Sequence, residues 1–148
     1  MIGIVVVSHG SLAEALVAAL EHVVSRKLEA VATVCIGPED DMERRREEIV
    51  AAVASVDRGA GVAILTDMFG GTPSNLSLSV LRPGEIEVLA GVNLPMLVRL
   101  CRVRERDGLV PALAAAEDAG KRYIQLASRL LERRAGGGDP AGPAGPAS

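Results

Sequence analysis

Apolar residues in this chain fall into two patterns. Residues 2–7, 30–36, 61–66 and 86–90 are short, nearly continuous apolar runs rich in Val, Ile and Leu. Such runs read as strands buried on both faces, as in a parallel sheet. Between them, apolar residues recur every three or four positions, the spacing of one helix face. Ser11-Leu12-Ala13-Glu14 reads as a Ser-x-x-Glu capping box that opens the first helix, with Leu12, Leu16, Ala19, Leu20 and Val23 as its stripe. Asp40 or Asp41 caps a second, carrying Met42, Ile49, Val50, Val53 and Val56. Thr72 before Pro73 is an N-cap followed by a first-turn proline, so a third helix runs from there towards Leu81. Pro95 favours a short helix from Met96 to about Cys101. After the charged connector 103–108, a last long helix spans 109–134, with Leu113, Ala116, Ile124, Ala127 and Leu131 as its stripe.

Strand and helix alternate, which gives an α/β, doubly wound, mainly parallel sheet with helices on both faces, in a single domain over residues 1–134. The 148-residue length suits one self-sufficient core. Residues 135–148 are Gly, Pro and Ala with one Asp and one Ser, a composition that cannot offset the entropy of ordering, so a disordered tail is expected.

Composition narrows the function. Aromatic residues make up 1% of the chain and the net charge is −3 with both signs interspersed, which excludes base-stacking platforms and a basic nucleic-acid face. No basic segment precedes the first apolar run, and that run is too short for a signal peptide or a membrane span. Cys35 and Cys101 lack metal or redox spacing and read as small buried residues in a reducing compartment. A cytoplasmic protein without membrane insertion is expected. His22 reads as a surface residue, and Arg44-Arg45-Arg46 with Glu47-Glu48 reads as a salt-bridged helix face rather than a docking patch.

The candidate chemistry stands at two strand ends. The first strand stops on Ser8-His9-Gly10, and the third stops on Asp67, before Met68-Phe69-Gly70-Gly71-Thr72-Pro73. In an open parallel sheet, ligands bind outside the carboxyl ends of the strands. If the strand order begins 2-1-3, His9 and Asp67 end neighbouring strands about 4.8 Å apart, close enough for a direct hydrogen bond. A carboxylate on Nδ1 fixes the tautomer and leaves Nε2 free as nucleophile or base. Amides and hydroxyls at Ser11, Gly71 and Thr72 are then placed to hold a phosphoryl group. These are the parts of a phosphohistidine carrier; a histidine merely hydrogen-bonded at a strand end remains the bland alternative.

Other chemistries use the residues less well. A metal site needs three or four ligands, and of the two histidines His22 falls about three turns down the first helix from His9. A Ser8-His9-Asp67 hydrolase fails because adjacent strand residues face opposite ways. A histidine phosphatase would need an arginine where Ser8 stands and a second acid/base histidine.

Residues VVSHG around His9, LTDMFGGTPSN over 65–75 and AGVNLPMLV over 90–98 carry a resemblance. In this order they resemble the enzyme IIA domain of the mannose family of the bacterial phosphoenolpyruvate-dependent sugar phosphotransferase system, over residues 2–134. A related subunit serving dihydroxyacetone kinase has a similar start, but the glycine segment here resembles the mannose type. The resemblance implies that His9 accepts a phosphoryl group from the phosphocarrier HPr and passes it to a histidine of enzyme IIB. It further implies that Asp67 hydrogen-bonds the active histidine, that Thr72 lies beside it, and that the protein is a homodimer, with no metal or cofactor. Mannose-family IIA is often joined to IIB through an Ala/Pro-rich linker; no IIB follows here, so the expected acceptor is a separate protein. Two other readings remain open: a regulatory module whose His9 phosphorylation state is read by a partner without sugar transport, and a flavodoxin-like small-ligand binder that is never phosphorylated.

Overall fold

The computed structural model describes residues 1–136. Along the chain run β1 (Gly3–His9), α1 (Leu12–Val24), β2 (Val31–Ile36), α2 (Met42–Val56), β3 (Val62–Thr66), α3 (Thr72–Leu78), β4 (Ile86–Ala90), α4 (Leu94–Val103), α5 (Leu109–Arg122) and α6 (Ala127–Ala135). The four strands form one sheet in the order β2-β1-β3-β4, and every neighbouring pair is parallel. Val7 lies opposite Val34 on one side and Thr66 on the other, which aligns the ends of β1 and β3.

The chain steps from β1 to β2 in one direction and from β2 to β3 in the other. Crossovers of one hand therefore require α1 and α2 on opposite faces. The packing agrees: α1 meets α4 on one face, and α2 meets α3 on the other. Alternate residues of the central strands feed two cores. Ile4, Val6, Ala63 and Leu65 pack with Leu20, Leu97, Leu100 and Ala112. Val5, Val7, Val62 and Ile64 pack with Ile49, Val53 and Val56 of α2. Each fully buried Val, Leu or Ile side chain contributes about 1.5–3 kcal/mol relative to exposure, which offsets the lack of large aromatics.

Several local expectations are corrected. Ser11 is the N-cap of α1, but its side chain makes no cap hydrogen bond, so the capping box with Glu14 does not form. The buried Ser8 hydroxyl takes over, accepting from Ala13 N at 2.7 Å. The buried stripe of α1 is also rotated: Ala13 and Leu20 are buried, whereas Leu12 and Val23 are exposed. At α2 the cap is Asp41, while Asp40 accepts from Gly37 N and pairs with Arg45. Arg45 also pairs with Glu48, as expected of a salt-bridged face. His22 is exposed, as its position off the apolar stripe predicts.

The third helix begins one residue differently, with Gly71 rather than Thr72 as N-cap, and ends at Leu78. Its serines bond to their own backbone, Ser77 Oγ to Pro73 O and Ser79 Oγ to Leu76 O, and the chain continues to Leu81 in tight turns. The last long helix is two helices, α5 and α6. Asn93, which caps α4, donates through Nδ2 to the carbonyl of Gly120 at 2.9 Å. Ile124 N, which would continue the helix by bonding that carbonyl, turns to Lys121 O instead. The approach at Gly120 is close, since a Cβ there would stand 3.0 Å from Met96 Cε. Ile124 and Leu131, expected in a buried stripe, are exposed. No helix among the described residues is long and apolar enough to cross a membrane. Of the 135–148 tail, everything from 137 onwards lies outside the described residues.

Candidate functional site

Strand alternation sets the directions of the residues that end β1. Ser8 points towards α1 and serves its first turn, so His9 leaves the sheet on the opposite side, towards α3. β3 stops beside it, and Asp67 follows Thr66 directly. The structure thus brings together the two residues at the centre of the sequence-predicted site.

Asp67 grips His9 twice through one oxygen. Oδ2 accepts from His9 backbone N at 2.9 Å and lies 2.8 Å from His9 Nδ1. The other oxygen, Oδ1, accepts from Met68 N at 2.9 Å. An ionised carboxylate only accepts, so Nδ1 carries a proton, and in the neutral ring Nε2 carries the lone pair. Burial pushes the Asp67 carboxyl up, but the hydrogen bonds from the His9 backbone, the His9 ring and Met68 together outweigh it and hold the group below the usual carboxylate range. The His9 side chain is 53% exposed and that of Asp67 12%, so the anchor is sheltered while the ring faces solvent.

Gly71 closes the other side of the ring. A Cβ built on it would lie 2.7 Å from His9 Cε1 and 3.0 Å from Nε2. Its backbone is fixed by its own carbonyl, which accepts from Asn75 N and from Ser74 Oγ, both at 3.0 Å. Thr72, half-buried, is the first residue of α3, and its hydroxyl makes no hydrogen bond among the described residues. Ser11 is exposed at the start of α1. Among the described residues no three His, Cys, Asp or Glu side chains gather as metal ligands.

Two features escaped the sequence reading. Ser8 holds the turn that follows His9, but a serine five residues before its amide partner matches no local capping pattern. Met68 and Phe69 stand exposed on the loop between Asp67 and Gly71. Their signal was available: two large apolar residues in a glycine-rich turn past a strand end have no core to enter.

Chemically, the site offers a ring with one nitrogen protonated and held by a carboxylate, and the other turned towards a backbone that carries no side chain. A nucleophilic or basic Nε2 follows from that arrangement.

The family model described as "PTS system fructose IIA component" (EIIA-man) matches residues 3–117. The mannose-specific EIIAB component of Escherichia coli K12 is 33% identical over 137 residues, covering 90% of this chain and 42% of that protein. The chain therefore spans about two fifths of the length of these mannose-specific relatives. The fructose-specific EIIA component of Bacillus subtilis is 28% identical over 95 residues, covering 64% of this chain and 65% of that protein. Among solved structures, a phosphotransferase system component EIIA from Streptococcus agalactiae superposes with a TM-score of 0.77 at 24% identity, covering 87% of this chain and 99% of that one.

Proposed function

The chain belongs to the EIIA-man family of phosphotransferase-system IIA components, and on that premise we propose that it is a phosphoryl carrier in sugar uptake, with His9 as the residue that carries the group. The observation that supports this most is the orientation of the His9 ring, with Nδ1 on Asp67 and Nε2 beside Gly71.

In this reading phospho-HPr is the donor. The lone pair of His9 Nε2 attacks phosphorus, the N–P bond of the donor imidazole breaks, and its electron pair returns to the donor nitrogen. The new phosphoimidazole retains its Nδ1 proton, which Asp67 holds through the developing positive charge. Gly71 leaves room at Nε2 for the incoming phosphorus, while the Thr72 hydroxyl, the first-turn amides of α3 and the Ser11 hydroxyl are the groups within the crevice that bind its oxygens. The second transfer reverses these steps onto a histidine of enzyme IIB. Met68 and Phe69 supply an apolar surface beside the ring for both partners. The reaction needs no metal ion or cofactor on this chain, and such donors place it in the cytoplasm.

A homodimer is part of the proposal. Among the described residues β4 has a neighbouring strand on one side only, and Ile124, Leu126 and Leu131 stand exposed beyond α5, where a second copy would cover them. Sedimentation equilibrium checks this: a monomer at micromolar concentration removes the dimer from the account.

The nitrogen assignment is tested by long-range ¹H–¹⁵N correlation on the phosphorylated chain. Phosphorus on Nε2 of His9 supports the mechanism. Phosphorus on Nδ1, or on His22, contradicts it.

A further inference from the structure

A cleft of about 430 Å³, lined by none of the residues of the His9 crevice, opens between α2, the turn after α3 and the start of β4. That volume lies in the range of small-molecule sites. Its lining includes Val50, Val53 and Ile86, and Val50 is 46% exposed.

Two arginines flank this apolar lining. Arg46 belongs to the basic triplet of α2, but it does not join the ion pairs of its neighbour Arg45. It reaches across to α3 and donates from Nε to Ser79 Oγ at 3.1 Å, a neutral partner that orients the guanidinium without neutralising it. Arg82 approaches Glu85 only to 3.9 Å at an exposed pair, so its charge is weakly compensated. Asp57 stands on the same lining, its Oδ1 accepting from Gly59 N. Asp57 and Glu85 together balance the two guanidinium groups, but Arg46 makes no ion pair among the described residues, so the guanidinium left without a carboxylate partner beside the apolar wall is that of Arg46. One unpaired guanidinium matches a monoanion better than a phosphate dianion, and the wall requires an apolar body attached to it.

We propose that this cleft binds a small amphipathic monocarboxylate, its apolar body on Val50, Val53 and Ile86 and its carboxylate between Arg46 and Arg82. The site is independent of the phosphoryl-transfer reading and stands or falls without it.

The test is a ¹H–¹⁵N titration of the full chain with hexanoate, with hexanol and acetate as controls lacking the charge or the body. Saturable shifts confined to residues around Val50, Ala54 and 79–82 are expected, with both controls at least tenfold weaker. Arg46→Gln and Arg82→Gln should each weaken hexanoate at least fivefold while leaving the circular dichroism spectrum unchanged. Hexanoate that leaves the cleft unshifted, as it would if a second copy covered it, overturns the proposal. So does hexanol binding as tightly as hexanoate, or an Arg46→Gln, Arg82→Gln double variant that binds like the parent.

Discussion

Gly71 and His9 are in contact through an atom that Gly71 does not have: a Cβ on residue 71 would stand 3.0 Å from Nε2 and 2.7 Å from Cε1 of the ring. The glycine thus defines the free edge of the histidine as Asp67 defines the bound edge. Gly71→Ala should displace the ring, lowering phosphoryl acceptance sharply and stability by about 1 kcal/mol or less, at the low end of the cost of overpacking because the ring is half exposed and can move. In the His9→Ala background the stability cost should largely vanish, because the clash is with the ring. Thermal unfolding of the four members of this cycle measures it. Equal costs in both backgrounds would locate the strain elsewhere.

Asp67→Asn keeps the shape of the side chain but loses its charge, and its amide can present a donor to Nδ1. Phosphorylation of His9 should slow about 10- to 100-fold, by analogy with the loss of the carboxylate that orients a metal-bound histidine. Rapid-quench kinetics with phospho-HPr reads this directly, and a parental rate would remove Asp67 from the mechanism.

The depressed carboxyl of Asp67 gives acid stability a sign. A carboxylate whose folded pKa lies below its unfolded value stabilises the fold fully above the unfolded value. That contribution is lost as pH falls through the lower, folded one. Wild type should therefore lose more stability than Asp67→Asn on going from pH 6 to pH 3. Denaturant midpoints at the two pH values compare them; identical losses would mean that the hydrogen bonds to Asp67 do not perturb it in solution.

Asn93 makes two bonds far from the crevice, accepting from Met96 N and donating to Gly120 O. Asn93→Ala should cost about 1–2 kcal/mol through the lost cap and the orphaned carbonyl, or roughly 2–8 °C in Tm for a domain of this size. Hydrogen exchange should also show Ile124 N–H gaining protection as α5 extends past Arg122. Unchanged exchange there would mean that another feature ends the helix.

The arrangement of the crevice is legible because it depends on features that repeat. Continuous apolar strands, strand ends marked by His9 and Asp67, and the crossover rule lead to the same sheet. Side-chain contacts that do not follow from the strand order were not legible. The pattern of α5 runs on through Ile124 and Leu131 at helical spacing, yet the helix ends where Asn93 takes the carbonyl of Gly120. Likewise Ser11-x-x-Glu14 fits a capping box locally, yet Ser8, fixed by β1, reaches Ala13 first. The α1 stripe misplaces Leu12 and Val23 because neighbouring registers of an Ala-, Leu- and Val-rich helix have almost the same amphipathicity, and only the packing against the sheet selects one.

The central claim is that His9 carries the phosphoryl group. Intact mass spectrometry after incubation with phosphoenolpyruvate, enzyme I and HPr tests it most directly, comparing wild type with His9→Ala. The account predicts one acid-labile phosphate on wild type and none on the variant. An unmodified wild-type chain beside demonstrably phosphorylated HPr, or a phosphate that persists in His9→Ala, would contradict it.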